Sequence, residues 1–209
     1  MESKLKRLSE NDKYETLENI QYVSETIIKR LYSSFDSIEE VSKSVENEVY
    51  KRSSAYFYPD TMDETHGMDE AYHEGVNHYL VHTQIKQEFL NSSITWIYHQ
   101  FEKDCSRLFD TTDGNEKKDI LIKLGIDTSK DSLWSKCNNE LRFLANTIKH
   151  GKGVSSEKLK SLRPELFKKS VLGVSEHEIE TSTNDVELYV KHLINFWEAF
   201  FQAVLPIYE

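Results

Sequence analysis

The chain has 209 residues, of which 38% are hydrophobic and 30% are charged, and its formal net charge is −10 at pH 7. Its 7 glycines and 3 prolines are too few for the frequent turns of a many-stranded sandwich or barrel, so the composition favours an all-α fold of amphipathic helices. The acidic balance excludes a uniformly basic nucleic-acid coat and a polybasic membrane binder.

Apolar residues at helical spacing predict an antiparallel bundle of six or seven helices. The predicted helices cover, in chain order, residues 13–32, 37–58, 68–108, 117–124, 130–149, 155–164 and 184–205. Residues 167–183 alternate only weakly, which predicts a small hairpin or an irregular lobe. We expect residues 1–58 to form an N-terminal helical extension and residues 59–209 to form one helical bundle.

The predicted helix over 68–108 has an apolar stripe that advances by alternating fours and threes, and it includes Val76 and Leu80. Because this helix is long, we expect a kink or a break near Gly75. The last helix is expected to be capped by Asn184 or Asp185. Nine apolar residues should meet in one core: Leu90, Ile94, Ile97, Phe101, Leu141, Leu144, Leu193, Trp197 and Phe200.

Targeting and redox signals are both weak. The basic N-terminus has no apolar run behind it, and no stretch reaches the length of a membrane span, so we expect a cytoplasmic protein with no membrane partner. Cys105 and Cys137 form no CxxC pair and lie in amphipathic stretches. We therefore expect two buried, reduced thiols.

The most informative segment is the predicted helix that ends at His150. Arg142, Asn146 and His150 are spaced i, i+4, i+8, which places them in one slowly drifting stripe. A histidine at a helix C-terminus is favoured in its protonated form by the helix dipole, and Gly151 follows as a capping glycine. Arginine beside such a histidine suits acid–base chemistry on phosphate. The alternative is an ordinary helix end, where Lys-His-Gly is common.

The charge around this stripe agrees with a phosphate ligand. Residues 141–169 carry eight basic and two acidic side chains, a net charge of +6 in a chain of net charge −10. Such a positive island in an acidic protein is typical of a phosphate-binding site. The basic residues predicted to bind RNA are Lys149, Lys152, Lys158, Lys160 and Arg163.

A second group of candidates is histidine-rich. Glu74, His78 and His82 share a helical face and could bind a divalent metal, but the spacing of His73, Glu74 and His78 departs from H-E-x-x-H. A solvated or partner-facing surface is the favoured interpretation, so we expect no metal and no cofactor.

The string from Asn146 to His150 resembles the signature of the HEPN superfamily of helical bundles, which is widespread in prokaryotic toxin–antitoxin, CRISPR and anti-phage systems. That signature is an R-x4-6-H pattern at a helix end. Aligning the histidines places Asn146 on the family's polar position and Ala145 on its arginine position, whereas Arg142 gives R-x7-H.

The resemblance implies a metal-independent endoribonuclease whose two motifs face each other across a homodimer. His150 would be the general acid–base on a ribose 2′-hydroxyl, Arg142 would stabilise the phosphorane, and Asn146 would orient one of them. Two alternatives remain: a non-catalytic subunit of the same bundle family that dimerises or binds a protein from the same operon, and an unrelated helical adaptor whose acidic N-terminal helices bind a basic partner.

Overall fold

A computed structural model describes residues 5–56, 58, 60, 61, 63, 65–170 and 173–207, with the backbone alone at 27, 28, 66 and 170. This part of the chain is mostly helical, which confirms the all-α prediction at the level of fold class. A small antiparallel hairpin interrupts the helices where the weak alternation predicted one, with strands β1 (Phe167–Ser170) and β2 (Gly173–Ile179).

The helices follow the predicted order with shifted ends. They are α1 (Glu10–Val23), α2 (Ile38–Ala55), α3 (His66–Leu108), α4 (Gly114–Lys123), α5 (Leu133–Ser135), α6 (Leu141–His150), α7 (Val154–Leu162) and α8 (Thr183–Val204). A π-helical segment, Ser24–Leu31, continues α1, and a second one, Lys136–Glu140, joins α5 to α6. The predicted helix over 130–149 is therefore helical from residue 133 onward, but its middle turn is wider than an α-helix.

Contacts divide the chain into two compact units, of which one combines Met1–Ile28 with Leu90–Glu209 and the other is Lys29–Phe89. The sequence-based boundary at residue 58 does not coincide with this division. The reason is that α1 packs against α8, at the other end of the chain. Arg107 adds a tie to α1, because its guanidinium binds Asp12 at 3.1 Å and also Thr16.

The core of the first unit is aromatic. The ring of Phe101 lies 6.0 Å from Trp134, 5.8 Å from Phe196 and 5.8 Å from Trp197. All nine residues predicted to form the core are buried, which confirms that part of the prediction. Cys105 and Cys137 are free and buried here, as expected, and burial raises the pKa of both thiols.

In the second unit, α2 packs closely against the first half of α3. A Cβ atom at Gly75 would lie 3.0 Å from the Cβ of Glu46, so glycine permits this approach. The helix is not broken near Gly75, because α3 is helical from His66 to Leu108. Two residues of the apolar stripe, which was predicted to face a partner helix, lie at the surface instead: Leu80 is 59% exposed and Val76 is 36% exposed.

The N-cap of α8 differs from the predicted one. Ser182, rather than Asn184 or Asp185, is the N-cap of α8, and its hydroxyl accepts a hydrogen bond from the backbone N–H of Asp185. Asp185 instead supplies the carboxylate of the capping box.

Among the described residues, no helix has both the length and the apolar character needed to cross a membrane.

Candidate functional site

Helix α6 is fixed at its beginning by a buried carboxylate. Glu140 accepts hydrogen bonds from Lys136 Nζ at 2.7 Å, from the Tyr189 hydroxyl at 2.8 Å and from Arg163 Nη1 at 2.9 Å. Burial alone would raise the pKa of Glu140, but these three donors outweigh it, and the pKa lies below its ordinary value. Glu140 therefore remains ionised and joins α6 to α7 and α8.

The other end of α6 lies at the surface. Gly151 has φ +70°, and its N–H donates to the carbonyl of Thr147 at 2.8 Å, so the predicted capping glycine is confirmed. The side chain of His150 is exposed at this end. The ring of His177, from β2, lies against Gly151, since a Cβ there would be 3.7 Å from it.

Arg142 and Asn146 are half-buried along the same helix. The Arg142 guanidinium lies over the ring of Phe143 at 5.3 Å, and Lys158 from α7 lies over the same ring at 5.4 Å. Each contact keeps a cation at the surface without neutralising it. Ala145, which lies between Arg142 and Lys149 along the helix, is completely buried.

A polar chain joins α6 to α3 beside this stripe. Lys149 Nζ lies 3.1 Å from His99 Nε2, and His99 Nδ1 lies 3.1 Å from Glu102 Oε2. The other carboxylate oxygen of Glu102 accepts a hydrogen bond from the buried Tyr98 hydroxyl at 2.8 Å. Burial and this hydrogen bond raise the pKa of Tyr98, so its hydroxyl stays protonated and holds Glu102. We call Arg142, Asn146, Lys149, His150 and His99 the α6 terminal site.

Three of the other predicted RNA-binding residues have partners within the fold. Lys152 forms an exposed ion pair with Glu176 at 2.5 Å, which raises the pKa of the lysine. Lys160 donates to the carbonyl of Ser175 at 3.3 Å. Arg163 is only 17% exposed and binds three carboxylates, listed here in chain order: Glu140, Glu165 and Asp185. These carboxylates occupy the Arg163 guanidinium, so its role is to hold the fold together.

The described histidine side chains of the second unit do not gather a full ligand set for a metal ion. The rings of His78 and His82 stack at 4.1 Å, and His78 Nδ1 lies 3.0 Å from the Ser42 hydroxyl. Among the described residues, no group of three or more His, Cys, Asp or Glu side chains is arranged to hold a metal ion. Stacking of i, i+4 rings along one helix face accounts for this pair.

The sequence analysis did not predict Glu102 or His177 at this site, and it grouped His99 only with the other histidines of the 66–99 stretch. The spacing of His99 and Glu102, one helical turn apart, is only a weak indication that their side chains interact. His99 reaches Lys149 through the tertiary contact between α3 and α6, since the two residues are 50 positions apart.

A cavity of about 540 Å³ lies elsewhere, between residues 124–133 and α8, and shares no lining residue with the α6 terminal site.

No family model, curated protein or solved structure matches the chain. The arrangement itself offers two imidazoles, a guanidinium and an ammonium at one open surface. These groups can donate hydrogen bonds to an anion.

Proposed function

We propose that the chain is a HEPN-like protein of a prokaryotic defence or toxin–antitoxin system, and that the α6 terminal site is a metal-independent endoribonuclease site. The observation that carries the proposal is the placement of His150: it is exposed at the end of α6, on the same stripe as Arg142 and Asn146 and next to Lys149. A histidine that served only to fill the core would be buried.

In the proposed reaction, His150 accepts the proton of a ribose 2′-hydroxyl, whose oxygen then attacks the adjacent phosphorus. The bond from phosphorus to the 5′-oxygen breaks, and that oxygen takes up a proton. The products are a 2′,3′-cyclic phosphate and a 5′-hydroxyl. Arg142 stabilises the negative charge of the phosphorane, and Asn146 orients the reacting groups. The 2′-hydroxyl restricts the reaction to RNA.

The resemblance also implies that two copies of the chain face each other with their α6 ends. In the proposed assembly each copy supplies one His150, so that one imidazole takes a proton while the other delivers one. Lys149 and Lys158 would hold the RNA backbone around this pair.

The test is cleavage of a fluorescent single-stranded RNA by the full-length protein. His150→Ala should abolish turnover without loss of the fold, because a helix-terminal histidine stabilises a helix by only about 0.3–1 kcal/mol. Arg142→Ala should lower both affinity and rate, and a chelator should change neither. His73→Ala, at an exposed histidine of α3, is the matched control and should cleave like the wild type.

Circular dichroism and a thermal melt of each variant establish that the fold is retained. The same oligonucleotide with 2′-deoxyribose throughout should remain intact. Undiminished cleavage by His150→Ala, or cleavage of the deoxy oligonucleotide, would contradict the proposed mechanism.

The second candidate is a non-catalytic subunit that dimerises or binds a protein partner, and two observations favour it. Ala145 is buried where the family has its arginine. In addition, the first half of α3 exposes large apolar side chains, with Met68, Tyr72 and Leu80 each 59% exposed. For this candidate we expect no RNA cleavage, and a dimer mass by light scattering that Tyr72→Glu with Leu80→Glu reduces to that of a monomer.

A further inference from the structure

The contact between Lys149 and His99 indicates which ring nitrogen accepts a hydrogen bond in the free protein. An ammonium group can only donate, so His99 Nε2, at 3.1 Å, must accept. The proton of the neutral ring is then on Nδ1, which donates to Glu102 at 3.1 Å. His99 is therefore an imidazole whose outward-facing nitrogen is occupied only by a lysine.

The surroundings favour a second state of the same ring. Glu102 and Lys149 are the charged groups that the structure places against His99, and the ring of Tyr98 lies 6.0 Å away. If an anion takes the Lys149 ammonium as its partner, Nε2 loses its donor. Protonation of Nε2 would then allow both ring nitrogens to donate, one to Glu102 and one to the anion.

We propose that His99 and Lys149 together bind a backbone phosphate of the nucleic acid, and that binding is coupled to the uptake of one proton by His99. This inference rests on the proposed function only in taking the ligand to be a nucleic-acid strand. The proton comes from solvent and goes to Nε2, and no covalent bond changes. Glu102 is the positioning residue, because its carboxylate stabilises the imidazolium and fixes the plane of the ring.

The position of His99 is suited to this role. Its side chain is 49% exposed, so a phosphate can reach Nε2 directly. Glu102 is held from the other side by the buried Tyr98 hydroxyl at 2.8 Å, so the carboxylate does not have to reorganise when the ring becomes charged. A phosphate between an ammonium and an imidazolium accepts two hydrogen bonds from charged donors, in place of the one hydrogen bond that the ammonium donates to a neutral imidazole.

The probe is a short single-stranded oligonucleotide of 2′-deoxyuridine, which carries phosphodiesters of constant charge and cannot be cleaved through a 2′-hydroxyl. Its affinity for the full-length protein is measured by fluorescence anisotropy between pH 5.5 and pH 8 at fixed salt, since salt alone changes such affinities. We expect binding to tighten as the pH falls. His99→Gln should weaken binding about tenfold at pH 5.5, which is the effect of about 1.4 kcal/mol, and by less than about twofold at pH 8.

Because the chain has 8 histidines, the site of proton uptake is identified by NMR. The C2 proton of His99 should titrate at a higher pH when the oligonucleotide is bound, and Glu102→Gln should reduce that rise. His73→Gln is the control and should follow the wild-type affinity curve. An unchanged His99 titration on binding, or a His99→Gln curve that parallels the wild type, would overturn the proposal.

The two proposals fail in different ways. If the protein binds the deoxy oligonucleotide with the expected proton uptake but cleaves no RNA, the ribonuclease proposal fails and the binding role of His99 stands. If RNA is cleaved but His99→Gln leaves the pH dependence of binding unchanged, the role of His99 fails and the ribonuclease proposal stands.

Discussion

Substitution of Glu140 by alanine should destabilise the first unit more than any exposed ion-pair substitution. Glu140 is 4% exposed and accepts hydrogen bonds from Lys136, Tyr189 and Arg163. Breaking a buried ion pair costs about 3–5 kcal/mol. Because Arg163 would keep Asp185 and Glu165, we expect the lower end of that range, about 3 kcal/mol.

The assay is urea unfolding followed by tryptophan fluorescence, which reports on the first unit because Trp96, Trp134 and Trp197 all belong to it. Glu165→Ala is the matched control. It removes a carboxylate from the same guanidinium, but Glu165 is 56% exposed, so the loss should stay below about 1 kcal/mol. Equal losses for the two variants would refute the reasoning.

The pH dependence gives the same prediction a second test. The pKa of Glu140 in the folded protein lies below its ordinary value of 4.5, since the three donors outweigh the effect of burial. A carboxyl with a lowered folded pKa stabilises the protein fully above its unfolded pKa, and the stabilisation is lost as the pH falls through the folded value. The difference between wild type and Glu140→Ala should therefore shrink below about pH 4. A difference that persists there would show that packing, and not charge, is responsible.

Two further substitutions test the core of the first unit. Burial raises the pKa of Asp104 to about 6, so ionising its carboxylate above that pH costs folding free energy. Asp104→Asn should therefore stabilise the protein by about 1–2 kcal/mol at pH 7.5 and have no effect near pH 3.5. Urea unfolding at both pH values measures the difference. A loss of stability at pH 7.5 would contradict this. Phe101→Ala should cost about 3–5 kcal/mol in the same assay, whereas Lys103→Ala, at an exposed position of the same helix, should change stability by less than about 0.5 kcal/mol.

The sequence predicted the helices well because their apolar faces are locally encoded. The closing helix is an example: Val186, Tyr189, Val190, Leu193 and Trp197 repeat every three or four residues, and all are buried. The prediction of buried residues failed where burial depends on whether another helix packs against that part of the apolar face. Leu80 continues the stripe of Leu90 and Ile94 at the same spacing, yet it is exposed, and no local pattern distinguishes the two cases.

The candidate site was predictable only along one helix. The spacing of Arg142, Asn146 and His150 defines a stripe on α6, and Gly151 marks its end. His99 and His177 reach this end of the helix through tertiary packing, which sequence periodicity does not encode. The role of Arg163 was likewise hidden, because its acceptors Glu140 and Asp185 lie 23 and 22 positions away.

The basic residues of the 141–169 segment differ in what their contacts do to their charge. Lys152 faces Glu176, Lys168 faces Glu178 and Arg163 faces Glu140, and each of these contacts cancels positive charge. Lys149 instead contacts an imidazole, and Arg142 and Lys158 lie over an aromatic ring. Contacts of this kind do not cancel positive charge. Arg142, Lys149 and Lys158, whose charge remains to attract an anion, lie on α6 and its neighbour α7. A cation attracts a phosphate more strongly when no neighbouring carboxylate competes for it. A phosphate should therefore bind at this face rather than beside the hairpin.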